Sequence, residues 1–249
     1  YHEKARKALD NVTKKSFNDG NRAYKRGDLD GALEAYYKVL EFDEKFYQAH
    51  YQIGVINAKM GDRNGAIGHY QQALDINPNF YKGWYAMGLS KKANSDNEGA
   101  LAGFKAAVDV HPAYDKAFGA MGEIYLSEKK YDQAIEALNT AVQVNSKYSK
   151  GYSTLGVIYS EMEEWANAVN NLVLATTHNK KDAMAWYRLA VAYNQLNECD
   201  QAEKAARNST DRKPSFGGGW IELGVATWCG GKGNKVASVN ALEKARKDR

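Results

Sequence analysis

The sequence predicts an all-α fold, a solenoid of seven 34-residue helix–turn–helix units. Three observations carry this. Gly20, Gly54, Gly88, Gly122, Gly156, Ala190 and Gly224 recur every 34 residues. Ala32, Ala66, Ala100, Ala134, Ala168 and Ala202 recur at the same interval. Pro78, Pro112 and Pro214 share one place in the same frame. A fixed period of this size marks stacked units, each unable to bury its apolar face alone.

The elements follow in order. Residues 1–12 form an amino-terminal helical extension, with Ala5, Ala8, Leu9 and Val12 on one face that is predicted to cap the first unit. Residues 13–249 form a single solenoid with copies starting near 13, 47, 81, 115, 149, 183 and 217. The glycine ladder is then position 8 of each copy and the alanine ladder position 20. Position 4 is mostly large (His50, Trp84, Phe118, Tyr152, Trp186, Trp220), and position 7 is usually apolar (Ile53, Met87, Met121, Leu155, Leu189, Leu223). These positions lie on one face of a first helix. Positions 20, 21, 24, 27 and 28 lie on one face of a second, with Tyr36, Tyr70, Phe104, Leu138 and Leu172 at position 24. Small residues at 8 and 20 let the helix axes approach, and large ones at 4 and 24 fill the space beside them. Turn residues such as Gly61-Asp62-Arg63-Asn64-Gly65 separate the helices, and the prolines at position 32 stop the second helix. Two copies depart. The first has Ser16 at position 4 and Asp19 at position 7. In the seventh, the second helix fits two residues late as Ser238, Val239, Leu242 and Ala245, with the Gly230–Asn234 loop absorbing the extra pair. Gly217-Gly218-Gly219 reads as a flexible junction between copies.

Composition narrows the function classes. No apolar run approaches the ~20 residues that a membrane helix needs. The first residues lack the apolar stretch of a signal peptide. The net charge of +4 is concentrated at the two tips, because residues 1–15 hold five Lys/Arg against two Asp/Glu and residues 241–249 hold four against two. A nucleic-acid binder would carry its basic charge along the main surface, so this distribution argues against that class.

Taken together, the W-x2-L-G pattern in Trp220–Gly224, the A-x3-F pattern in Ala100–Phe104 and the position-32 prolines resemble the tetratricopeptide repeat family from about residue 13 onward. The resemblance implies a right-handed superhelix whose first helices line a concave groove that binds a peptide or partner protein. In that geometry positions 2, 5, 9 and 12 face the groove. The candidate lining is Phe17, Asn21, Tyr51, Lys82, Tyr85, Lys92, Lys116, Lys150, Tyr187, Arg188, Asn194 and Trp228. Lys14, Lys82, Lys116 and Lys150 share position 2, either as ordinary solvated lysines or as a basic stripe that attracts acidic segments of a partner. The position-5 aromatics are either recognition anchors or sideways packing residues. Some family members hold chaperone tails in a carboxylate clamp. Of its slots in the first three copies only Asn21 and Lys82 match, so no standard clamp is expected.

No cofactor and no enzymatic chemistry are predicted. The five histidines show no close metal-binding spacing, and there is no phosphate-binding glycine loop. His50 sits in the large position-4 slot, where packing is the expected role. Cys199 and Cys229 fall near the turn side of neighbouring hairpins, as a disulfide or as two unpaired thiols. A bridge would imply an oxidising compartment such as the periplasm. The leading expectation is a protein-binding adaptor. The alternative is a scaffold that self-associates through its ends as part of a larger assembly.

Overall fold

A computed structural model describes residues 2–229 and 234–246, which form fourteen helices and no strand. They are α1 (His2–Arg26), α2 (Leu29–Phe42), α3 (Tyr47–Met60), α4 (Arg63–Ile76), α5 (Tyr81–Ala93), α6 (Asn97–Val110), α7 (Asp115–Ser127), α8 (Tyr131–Val144), α9 (Ser149–Glu161), α10 (Trp165–His178), α11 (Ala183–Gln195), α12 (Cys199–Arg212), α13 (Gly217–Trp228) and α14 (Lys235–Arg246). The expected all-α fold of repeated helical hairpins is observed. No described helix is long and apolar enough to cross a membrane. The chain divides into two compact units, one ending at Ala117 and the other beginning at Phe118.

Each of the first six hairpins turns through one left-handed residue at position 15. Gly27 and Gly61 take it with φ of 83° and 90°, and Ser95, Lys129, Glu163 and Asn197 take it with φ between 56° and 63°. In the first unit an Asp follows at once and caps the second helix. Asp28, Asp62 and Asp96 each accept the amide N–H of Gly31, Gly65 or Gly99 at 2.8–2.9 Å. Such a cap contributes about 1 kcal/mol. In the second unit Lys130, Glu164 and Glu198 occupy that place and make no side-chain cap bond.

The ladders explain the core. A Cβ added to Gly20, Gly54 or Gly88 would lie 2.6–2.7 Å from a ring carbon of Tyr36, Tyr70 or Phe104. One added to Gly122 or Gly156 would lie 2.5 Å from Cγ of Leu138 or Leu172. Position 8 must therefore be glycine wherever position 24 is large. In the sixth copy position 8 is Ala190, position 24 is Ala206, and both are fully buried. In the seventh copy Leu242 faces Gly224, two residues late, as the shifted register requires. Residues 230–233 of the loop that absorbs the shift lie outside the described residues.

The amino-terminal segment is helical and runs directly into the first helix of the first copy. With no Pro or Gly before Gly20, α1 runs unbroken from His2 to Arg26. Its apolar face is only partly covered, since Leu9 and Val12 remain 44% and 42% exposed. The Ala5 side chain lies outside the described residues. One expectation needs correction: Gly217-Gly218-Gly219 is not a flexible junction but the first turn of α13. The space beside it accounts for two of the glycines. A Cβ on Gly218 would meet the Phe216 ring at 2.6 Å, and one on Gly219 would meet Ser209 Oγ at 3.0 Å.

Successive copies are also stitched by position 4. The indole N–H of Trp84, Trp186 and Trp220 donates to the position-32 carbonyl of Pro78, Lys180 and Pro214 at 2.8–3.0 Å. His50 repeats this bond, its Nε2–H donating to the Glu44 carbonyl at 3.1 Å. His69 Nδ1 lies 3.4 Å from His50 Nδ1, and its own Nε2 lies 3.5 Å from the Tyr37 hydroxyl. Tyr37, His69, His50 and the Glu44 carbonyl thus form one chain across the α2–α4 face. Burial, and then His50, lower the His69 pKa below its usual 6.5, against an opposing pull from Asp62 and Gln72. A lowered histidine pKa means that the unfolded chain binds the proton first. Stability of the first unit should be complete above about pH 6.5 and fall as the pH drops towards 5. Denaturant titrations at pH 8, 6.5 and 5 should show this loss, and His69→Gln should flatten it. An unchanged pH slope in that variant would refute the assignment.

Candidate functional site

Position 5 serves two purposes. Phe17, Tyr51, Tyr85 and Tyr187 each pack against the position-34 ring at the end of the same copy, Phe46, Phe80, Tyr114 and Phe216, with centroids 4.9–5.1 Å apart. Three of the four pairs are edge-to-face, with interplanar angles of 84–89°, the arrangement favoured by the ring quadrupole. In the fourth copy the device inverts. Tyr148 supplies the only ring, and its Cε1 would lie 2.8 Å from a Cβ on Gly119. In the fifth copy Ser153 and Asp182 replace both rings, and Ser153 Oγ instead accepts a hydrogen bond from Arg188 Nη1 at 3.2 Å.

In the first unit, α3, α4, α5 and the start of α7 converge on one groove of about 470 Å³. Tyr51, Val55 and Ala58 of α3 form one wall. Lys82, Tyr85, Ala86, Leu89, Ser90 and Ala93 of α5 form the floor, and Tyr114 with Lys116 closes the far side. Arg63 and Tyr70 reach in from α4. Burial raises the pKa of Tyr51, Tyr70 and Tyr114, so these phenols stay protonated and able to donate. Leu89 is 41% exposed at the surface of the groove.

In the second unit, a hollow of about 550 Å³ is lined by Glu123, Leu126, Ser149, Lys150, Ser153, Thr154, Val157, Asn179, Asp182 and Arg188. Its charges are mixed, and Lys150 is ion-paired with Glu123. The position-2 lysines therefore do not form a uniform stripe. Lys82 and Lys116 share the groove of the first unit, Lys150 is tied to a carboxylate, and Lys14 lines a separate hollow with Leu9, Asp10, Phe42 and Phe46.

The other candidates sit elsewhere. Asn21 accepts the Tyr36 hydroxyl at 2.8 Å. Lys92 occupies the last turn of α5, outside the groove lining. Asn194 donates to the Glu222 carboxylate at 2.7 Å and to its carbonyl at 3.2 Å, and burial raises the Glu222 pKa. Trp228, 52% exposed, lines an apolar hollow with Val225, Val239 and Leu242 at the α13–α14 hairpin. Cys199 opens α12 and Cys229 caps the end of α13, and the two are bonded with Cα atoms 5.6 Å apart.

Some lining residues escaped the sequence reading. Glu123 and Leu89 hold position 9, a column already assigned to the groove, and were legible there. Arg63 comes from the start of a second helix, and Tyr70 and Tyr114 occupy positions otherwise devoted to packing. Nothing in the first-helix pattern marks these three.

The profile of the tetratricopeptide repeat protein 21 C-terminal ARM domain matches residues 90–215, half of the chain. Profiles of the tetratricopeptide repeat match residues 20–61 and 47–80. No curated protein shows significant sequence similarity to the chain. Among solved structures, the chain is similar to pilF of Pseudomonas aeruginosa with a TM-score of 0.74 and 17% identity, covering 87% of this chain and 96% of that one. It is similar to YrrB, a repeat protein with an unusual peptide-binding site, with a TM-score of 0.60 and 17% identity over 76% of this chain and 97% of that one. MamA from Desulfovibrio magneticus RS-1 gives 0.61 and 22% identity over 69% and 97%. At these identities the likeness is one of fold.

Proposed function

The chain belongs to the tetratricopeptide repeat family, and from that premise we propose that it is a non-catalytic adaptor that holds an extended segment of a partner protein against its first helices. Proteins of this fold typically mediate protein–protein interactions. The observation that carries the reading is the groove of the first unit, where α3, α5 and the start of α7 present aromatic, aliphatic and cationic side chains around one open hollow. Exposed aromatic and aliphatic anchors beside fixed charges are what peptide recognition uses. Arg188, Ser153 and Thr154 in the second unit provide a further polar contact surface.

A photo-crosslinking amino acid at position 89 tests this. In source extract it should trap one specific partner, whereas the same probe at Lys105 on α6 should not. Leu89→Glu should abolish capture in a competition assay while leaving helicity unchanged. Equal crosslinking at both positions would remove the groove from the mechanism.

The apolar strip of Val225, Trp228, Val239 and Leu242 favours self-association as a second reading. A hydrodynamic size that rises with concentration, and falls in Trp228→Glu, would support it. If Cys199 and Cys229 are joined in the cell, the protein works in an oxidising compartment.

A further inference from the structure

The polar lining of the first-unit groove is one-sided. Its polar side chains are Tyr51, Tyr70, Tyr85, Tyr114, Ser90, Arg63, Lys82 and Lys116. Every one can donate a hydrogen bond, and three carry a fixed positive charge. Among the described residues no carboxylate, amide or imidazole lines it. The nearest acid in sequence, Asp115, turns its Oδ1 to the Lys116 amide N–H at 2.9 Å, at the start of α7. The hollow of the second unit holds Glu123 and Asp182 beside its cations, so the excess of donors is a property of this groove rather than of the repeat. Lys82 Nζ lies 5.8 Å from the centroid of the Tyr81 ring, but with three cations and no carboxylate in its lining the hollow leaves its fixed charge without full compensation until an anionic acceptor enters. There, partial exclusion of water strengthens each charge-assisted bond. Val55, Ala58, Ala86, Leu89 and Ala93 supply an aliphatic surface beside the charges.

Resting on the adaptor reading, we propose that this groove selects an acidic segment of its partner. An Asp or Glu carboxylate is held by Lys82 and Lys116 at the amino end of α5, and an aliphatic side chain further along the segment lies on Leu89 and Ala93. The selection is by charge and does not use the two-carboxylate clamp, for which the required set of lysine, asparagine and arginine positions is missing.

The test uses the full chain and two labelled hexapeptides, Ac-Glu-Leu-Asp-Glu-Leu-Asp-NH2 and its uncharged counterpart Ac-Gln-Leu-Asn-Gln-Leu-Asn-NH2, read by fluorescence anisotropy at low ionic strength. The acidic peptide should bind about tenfold tighter or better, and this preference should collapse on raising the salt. Lys82→Gln combined with Lys116→Gln should erase it, while Lys150→Gln should not. Amide shifts in an NMR titration should centre on residues 82–93. Equal affinity for the two peptides, a preference that survives the double variant, or no binding of either would overturn the proposal. If it is overturned while the probe at position 89 still traps a partner, the adaptor reading stands and only the acidic preference falls. If inorganic phosphate alone shifts the same amides and displaces the peptide at equal concentration, the groove is a simple anion site and the peptide proposal is overturned.

Discussion

Phe104→Ala is expected to destabilise the first unit by about 3–5 kcal/mol, the range for emptying a buried aromatic site. Phe104 is fully buried, packs against Tyr85 with centroids 5.5 Å apart, and fills the space that Gly88 leaves open. The converse change is informative because two effects oppose each other. Gly88→Ala should gain about 1 kcal/mol of helix propensity. The new Cβ would lie 2.7 Å from Phe104 Cε1 and 3.1 Å from the Ala100 carbonyl oxygen, in a core with no slack. Overpacking of this kind costs about 1–3 kcal/mol, so the net effect is destabilising. In the Phe104→Ala background the ring contacts are gone and only the 3.1 Å approach to the Ala100 carbonyl remains, so Gly88→Ala should cost less there than in the parent chain, approaching the Ala190–Ala206 pair of the sixth copy. A double-mutant cycle from urea titrations, followed by hydrogen exchange in α5 and α6, measures the coupling. If Gly88→Ala costs the same in both backgrounds, the complementarity of positions 8 and 24 is refuted.

Reduction of the Cys199–Cys229 bond should loosen the carboxyl-terminal hairpins by about 2–4 kcal/mol. The bridge closes a sequence separation of 30 residues, and a loop of that length costs the unfolded chain this much entropy in the chain-closure account. The Cα separation of 5.6 Å lies within the usual span for a disulfide. Repeat units interact mainly with their neighbours, so the loss should be local. Amide protection in α12 and α13 should fall by about thirtyfold to a thousandfold on adding reductant. Protection in α3 and α4 should not change, and Cys199→Ser should behave like reduction. Equal protection of α13 with and without reductant would show that the bridge adds no stability there.

The 34-residue period, the hairpins, the small residues at positions 8 and 20 and the late register of the seventh copy were all legible in the sequence. Helical periodicity is local, and three or four residues of spacing decide which face a side chain occupies. The groove columns were legible to the same degree, which is why Lys82, Tyr85 and Lys116 were placed with it. What a side chain meets on that face was not legible. Lys116 and Lys150 occupy the same column, yet one lines a donor-rich groove and the other is ion-paired with Glu123. His50 and His69 are 19 residues apart and come into contact only because position 4 of one helix faces position 23 of the next. The three glycines before Trp220 looked like a hinge. They form a helical turn, and at Gly218 and Gly219 Phe216 and Ser209 occupy the space a side chain would need. The two cysteines could be placed near one turn, but their separation depends on how α12 and α13 stack, and that depends on every side-chain volume between them. Sequence period alone therefore determined the fold class and the face of each residue. Tertiary packing decided the partners, because contact depends on distances set jointly by several helices rather than by spacing along one.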